Sequence, residues 1–301
     1  MVTRYGGIGD VICLLPAVVR LKEEHPACAL ILITSPACAP LVELSGIADL
    51  VLPSFMRGLR WLVGLLHPTL NLSPALPDEA SPPQPRARVH LIQEFARSLG
   101  VDTSSLVHPI IRPAPEHIAQ ARAQLTAAAL TDMPFAVIHT GPTWPVKQWP
   151  QAHWTRLVEQ LKSTQIAIIQ IGATGHDLDA AATMPPVPGA HDWTNQLTLP
   201  QTLALLGMAR LFIGIDSGLL HLASAAGTPL IGLFGPTDAT CFLPRRSDAI
   251  GLAATVDCLG CHHAATGPQH WRTGCPHGVR CMSSLAPEMV FEAAQSLVVS
   301  A

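Results

Sequence analysis

Short apolar runs alternate along this chain with longer segments whose apolar positions recur at helical spacing. After a polar turn at Gly6–Asp10, the spacing predicts a helix over Val11–Glu24, with Pro16 an irregularity near its start. Ala29–Thr34 reads as a buried strand broken by Ser35-Pro36, Cys38–Leu44 as a helix and Leu50–Leu52 as a short strand. Only Met1–Tyr5 precedes the turn, so the first strand is short. Pro68–Pro85 reads as a loop, Val89–Leu99 as a helix stopped by Gly100, Ile110–Pro115 as extended and Glu116–Leu130 as a helix. Beyond it, strands are expected at Ala136–His139, Ile166–Ile171, Leu211–Ile215 and Leu230–Phe234. Helices are expected at Gln151–Lys162, Leu199–Met208 (capped by Thr198 or Asn195), Gly218–Ala226 and Pro287–Val299. Strands that alternate with helices argue for an α/β protein with parallel sheets. The boundary between two domains, 1–130 and 131–301, is expected near Pro109–Pro134.

Composition narrows the class. At 301 residues, 49% hydrophobic and 13% charged, the chain can bury two cores and is not disordered. A net charge of −3 gives no bulk attraction to nucleic acid, so none is expected as a partner. The opening lacks a basic segment followed by an apolar one, and no apolar run reaches the ~20 residues of a membrane span. The expectation is a cytoplasmic protein. Phe55–Leu66 mixes Trp61 and leucines with Arg57 and Arg60, which suits a lipid interface or an ordinary buried helix.

The polar residues gather at strand ends. Asp216-Ser217-Gly218 stands where a buried strand gives way to a helix, with His221 one turn further on. In open α/β sheets ligands bind there, because free backbone N–H groups and the helix dipole point outward. Ser217 and Gly218 can donate to a diphosphate, and Asp216 orients backbone or contacts sugar hydroxyls. The plainer alternative makes Asp216 a helix cap and His221 a core histidine. Pro236-Thr237-Asp238 ends the next strand, where Thr237 touches phosphate or sugar or merely shapes a turn. Asp10 follows Gly7 and Gly9 at a strand-to-helix turn, where the dipole favours an ionised carboxylate, and a simple cap explains it equally well. Lys147, beside Thr143, is one of three lysines and can neutralise a diphosphate; a solvated surface lysine is the alternative.

Three separated segments carry a resemblance. They are Phe212–Thr237, the opening Gly6–Ile12 with Leu15-Pro16-Ala17, and Lys147-Gln148-Trp149-Pro150 with Trp154. Together they resemble the heptosyltransferases of glycosyltransferase family 9, bacterial enzymes that build the lipopolysaccharide inner core from ADP-heptose. The resemblance covers most of the C-terminal half and roughly the first fifty residues, but not Pro53–Pro115. It implies a GT-B architecture, two Rossmann-like domains facing a central cleft. It implies an inverting transferase with no cofactor and no catalytic metal, an ADP-sugar donor and a lipid-linked saccharide acceptor, met at the inner membrane by peripheral contact. Asp10 is then the general base and Lys147 the group that meets the leaving diphosphate. Thr143, Asp216, Ser217, Gly218, His221 and Thr237 line the donor site, Asp177 accepts from ribose hydroxyls, and Leu197 packs on adenine.

Rival readings are weaker. A dinucleotide dehydrogenase needs glycine where Ile12 stands and an acid after Ala29–Thr34. A sugar-nucleotide epimerase or hydrolase, or a non-catalytic nucleotide-sugar binder, stays open. Asp177-Leu178-Asp179 matches the metal motif of a different transferase fold and reads as a solvated helix start. Cys258, Cys261, Cys275 and Cys281, with four nearby histidines, resemble a zinc-binding loop, although the second pair is spaced too widely. Reduced thiols are the alternative. Cys13, Cys28 and Cys38 read as small core residues.

Overall fold

A computed structural model of the chain describes residues 1–54, 72, 88–141, 144–174, 184–264 and 274–299. Phe55–Leu66 and all of Pro68–Pro85 but Leu72 lie outside them. Strands β1 (Val2–Arg4), β2 (Ile31–Thr34) and β3 (Leu50–Pro53) pair in parallel in that order. Beyond β1, the Thr3 N–H donates to the Leu72 carbonyl and the Leu72 N–H to that of Met1. Helix α1 (Ile8–Glu24) follows β1 and buries Val11, Ile12, Leu14, Leu15, Val18 and Leu21. It starts three residues earlier than the apolar pattern, which places Asp10 in its first turn. Pro16 lies inside α1 without ending it, and leaves the Ile12 carbonyl without its usual helical donor.

Helix α2 (Ala39–Ser45) ends at Gly46, and α3 (Leu91–Leu99) at Gly100, both in the left-handed region that glycine accepts without strain. Helix α4 (Pro115–Ala127) stops short of the predicted Leu130. Ala129 turns left-handed, and the Leu130 N–H bonds back to the Leu125 carbonyl.

The second sheet holds β4 (Phe135–His139), β5 (Ala167–Gln170), β6 (His191–Asp192), β7 (Leu211–Ile215), β8 (Leu230–Phe234) and β9 (Ala249–Ala253). All pairings are parallel, in the order β6-β5-β4-β7-β8-β9. Strands β4, β7 and β8 are buried throughout, which explains their unbroken apolar sequences. The long helices are α5 (Gln151–Lys162), α6 (Leu199–Met208), α7 (Gly218–Ala226) and α11 (Pro287–Val299), with bounds as the spacing predicts. Short helices α8 (Ala239–Phe242), α9 (Cys261–Ala264) and α10 (Arg280–Ser283) complete the set among the described residues. Thr198 caps α6 in a capping box with Gln201, so Asn195 is not the cap. Cys13 and Cys38 are buried as expected, but Cys28 is exposed in the turn after α1 and is not a core residue.

Chain order reverses between β4 and β7: β5 and β6 extend one way from β4, and β7, β8 and β9 the other. A crevice opens at the carboxyl ends of strands at such a switch point. Helix α1 packs on α7 across the two sheets. Among the described residues no helix is long and apolar enough to cross a membrane.

Behind β4, Trp154 is fully buried and meets Trp149 edge-on at 4.9 Å between ring centroids. Trp154→Ala should cost about 3–5 kcal/mol in urea unfolding. Trp154→Phe should cost much less, because the indole N–H that it removes has no partner. Equal losses for the two variants would contradict this account.

Candidate functional site

Two elements meet at the switch point. The segment after β4 turns through a short 3-10 helix, Pro145–Lys147, which folds the Lys147 side chain back toward the end of β7. Its Nζ lies 2.7 Å from Asp216 Oδ2 and 3.3 Å from the Asp216 carbonyl oxygen. It also stands 4.1 Å from the centroid of the Trp144 ring. Thr237, after β8, donates its hydroxyl to the same Asp216 oxygen at 2.7 Å. All three residues are buried. Burial alone would push the Asp216 carboxyl up. The Lys147 charge and hydrogen bond and the Thr237 hydroxyl outweigh it and hold the group below the usual carboxylate range. Asp216 is therefore the counter-ion that positions Lys147, and is not a helix cap.

The cap of α7 is Ser217, in extended conformation. Its hydroxyl makes no capping hydrogen bond, and its Oγ is buried without a partner. The first N–H groups of a helix lack internal acceptors. An orphan hydroxyl beside them, next to a lysine, is a chemistry suited to an anion.

The glycines bring the second sheet's site to the first sheet. A Cβ on Gly218 would stand 2.9 Å from Ile8 Cβ and 3.0 Å from the Gly9 nitrogen. A Cβ on Gly9 would meet His221 Cδ2 at 3.0 Å. The starts of α1 and α7 therefore touch. Nothing lies within 4 Å of the corresponding point at Gly7, which serves as the extended cap of α1. Gly6 has the steric role instead, because its Cβ would stand 2.5 Å from Asp10 Oδ2. Asp10 pairs with Arg4 at 3.1 Å, and the Arg4 guanidinium lies 5.2 Å from the Phe95 ring centroid. The Asp10 side chain is 31% exposed, so water and ligand can reach it.

His221 turns toward α1, where its Nδ1 lies 3.3 Å from Cys13 Sγ. Burial, partly offset by the Asp216 charge, lowers its pKa to about 4, so the ring is neutral near pH 7. Leu197 is half-buried in the connection between β6 and α6. Thr143 and Asp177 are outside the described residues. Trp144, Arg4 and Gly6 were not legible as site residues, although an arginine inside a buried first strand was a usable signal. Cys258, Cys261, Cys275 and Cys281 are free thiols. Burial and then the three companion thiols push Cys281 up to about 11, which places the four near one another.

Removing Lys147 would leave a buried carboxylate unpaired, a loss of about 3–5 kcal/mol. In the wild type the folded carboxyl titrates below its unfolded value, so the pair's contribution is complete above about pH 4 and fades as pH falls further. In Lys147→Ala the main opposition to burial is gone, the Thr237 hydroxyl remains, and the folded carboxyl should titrate above its unfolded value. The deficit should then be largest near pH 7 and shrink toward about pH 4.5. Urea unfolding at the two pH values checks this, and an unchanging deficit would refute it.

The sequence profile of glycosyltransferase family 9 (heptosyltransferase) matches residues 58–271. It takes in most of the stretch that the motifs left uncovered and leaves out Gly6–Ala17. Lipopolysaccharide heptosyltransferase 1 of Pseudomonas aeruginosa is 33% identical over 134 residues, 42% of this chain and 36% of the relative. The chain spans about a third of the length of the curated relatives it matches. Among solved structures, a family 9 glycosyl transferase of Veillonella parvula matches with a TM-score of 0.76 at 18% identity, over 100% of this chain and 97% of the other. The ADP-heptose lps heptosyltransferase II of Escherichia coli matches with a TM-score of 0.71 at 16% identity, over 99% and 98%. The two parallel α/β sheets are those of the GT-B architecture. The fold agrees end to end and the profile covers well over half of the residues, so the chain belongs to glycosyltransferase family 9, the heptosyltransferase family.

Proposed function

We propose that this chain is an inverting glycosyltransferase that moves a heptose from ADP-heptose to a lipid-linked lipopolysaccharide core saccharide. The observation that carries the reading is the orphan Ser217 hydroxyl, buried at the start of α7 beside the Lys147–Asp216 pair. A nucleotide diphosphate satisfies both the hydroxyl and the first-turn N–H groups. The relatives support the donor and acceptor classes, since their names specify lipopolysaccharide and, for the Escherichia coli structure, ADP-heptose.

In this mechanism the donor diphosphate lies against Ser217, Gly218 and Lys147. Asp177 and Leu197 are assigned to its adenosine side, and Thr143 to the donor site beside Lys147. Asp10, ionised beside Arg4, orients the acceptor hydroxyl and takes its proton as the oxygen attacks the anomeric carbon. The new carbon–oxygen bond forms opposite the breaking one, and the electron pair of the broken bond leaves with ADP. Attack from the opposite face inverts the anomeric centre. Lys147 and the α7 dipole stabilise the charge that develops on the diphosphate. Asp216 and Thr237 position Lys147 and touch neither substrate. The acceptor's lipid places the reaction at the cytoplasmic face of the inner membrane, with the protein docked peripherally.

Asp10→Asn keeps the shape of the acceptor corner and removes the base. It should lower heptose transfer by about 10²–10⁴-fold, while calorimetry finds ADP-heptose bound with little change. Ser217→Ala should instead weaken ADP-heptose and ADP together. NMR of the product should show an anomeric configuration opposite to that of the donor. Transfer that survives Asp10→Asn would remove Asp10 from catalysis, and tighter binding of UDP than of ADP would overturn the donor.

A further inference from the structure

Three buried groups from distant parts of the chain converge where α1 meets α7. They are Cys13 on α1, His108 in the segment between α3 and α4, and His221 on α7. Their relative exposures are 0%, 8% and 3%. One ligand atom from each lies within 4.8 Å of the other two, the one such trio among the described residues. The two imidazole centroids are 5.8 Å apart.

One hydrogen bond, between Cys13 Sγ and His221 Nδ1, links two of the three groups and leaves His108 unexplained. Both ring nitrogens of His108 are buried without a partner. The Ile12 carbonyl faces the ring as a hydrogen-bond acceptor would, at a geometry short of a full bond. Buried polar groups left unmatched are costly, and native proteins rarely keep them without a use.

A soft divalent ion would account for it. A sulfur and two imidazole nitrogens are ligands that zinc favours. Zinc bonds of about 2.3 Å to sulfur and about 2.0–2.1 Å to nitrogen place S and N about 3.5 Å apart in a tetrahedron. The Cys13 Sγ to His221 Nδ1 distance is 3.3 Å. A ligating histidine usually presents its other ring N–H to a carboxylate or backbone carbonyl. Pro16 leaves the Ile12 carbonyl without a helical donor, and that group faces His108. The Asp10 and Asp216 carboxylates act on Cys13, and Asp216 acts on His221 against the opposing Lys147 charge.

We propose that Cys13, His108 and His221 bind one zinc-class divalent ion that clamps α1, the connecting segment and α7 together. Binding displaces the Cys13 thiol proton and leaves the fourth coordination position to water. The ion stands apart from the transfer step. The proposal does not need the donor assignment, since metal content is measured with no nucleotide present.

The test uses the purified full chain. The wild type should bind about one equivalent of Zn²⁺ tightly. Its Co²⁺ form should show a thiolate charge-transfer band and the intense visible bands of a tetrahedral site. Cys13→Ala and His108→Ala should lose both signals. Pro16→Ala, which restores the helical donor to the Ile12 carbonyl and removes no ligand, should weaken Zn²⁺ about 10–100-fold and remain folded. Cys258→Ala and Cys261→Ala should leave the Co²⁺ spectrum unchanged, which separates this trio from the cysteine-rich loop. The proposal is overturned if the wild type takes up no Zn²⁺, if the spectrum survives Cys13→Ala, or if it disappears with Cys258→Ala. Unchanged ADP-heptose binding in a metal-free chain would leave the donor reading intact.

Discussion

A lysine and an aspartate buried against each other at the switch point organise the second sheet's ligand face. Neither charge belongs in an apolar interior alone, because desolvation of a single ion costs several kcal/mol. Paired at 2.7 Å and completed by the Thr237 hydroxyl, they tie together the chain after β4, β7 and β8. The pair also resolves an apparent contradiction, an aspartate next to an anion site. Asp216 does not face the anion. It holds Lys147 over Trp144, in a geometry set before any ligand arrives. A cation fixed in advance stabilises developing charge without reorganisation, which is the condition for it to lower a barrier.

The second constraint is steric. A Cβ at Gly218 would collide with Ile8 and one at Gly9 would crowd His221, so the two glycines let the starts of α1 and α7 touch. Two helix N-termini, each favouring negative charge, thus lie at one junction. One carries Asp10, whose own negative charge Arg4 balances. The other carries the orphan Ser217 hydroxyl and receives its negative charge from outside. In the mechanism proposed above, the same dipole effect would support a resident base on one side and a visiting leaving group on the other.

Much of this was legible in the residues. Strands β4, β7 and β8 and the helices between them follow from continuous apolar runs and strong periodicity, since burial on both faces leaves few alternatives. The polar ends of those runs marked Asp216, Ser217 and Lys147. Two strands were not legible: β6 is two residues long, and β9 is only half-buried, so its pattern is weak. Partners were harder to read than positions. Asp216 stood out as polar, but nothing local says that its neighbour is a lysine on another loop. Cys13 looks like any small core residue, and His108 lies in a segment with no pattern. Their meeting with His221 is a product of topology alone.

Helix α7 joins these features. It has nine residues, too few to be stable alone, so its direction is set by what it packs against. At its start Gly218 rests on Ile8, and one turn later His221 rests on Cys13. Ser217 and His221 are four residues apart and share a face, so whatever holds His221 also aims the N-terminus that meets the anion. The buried trio and the anion corner are therefore two ends of one short lever. A group that tightened the trio would fix the direction of that helix without taking part in the transfer proposed above.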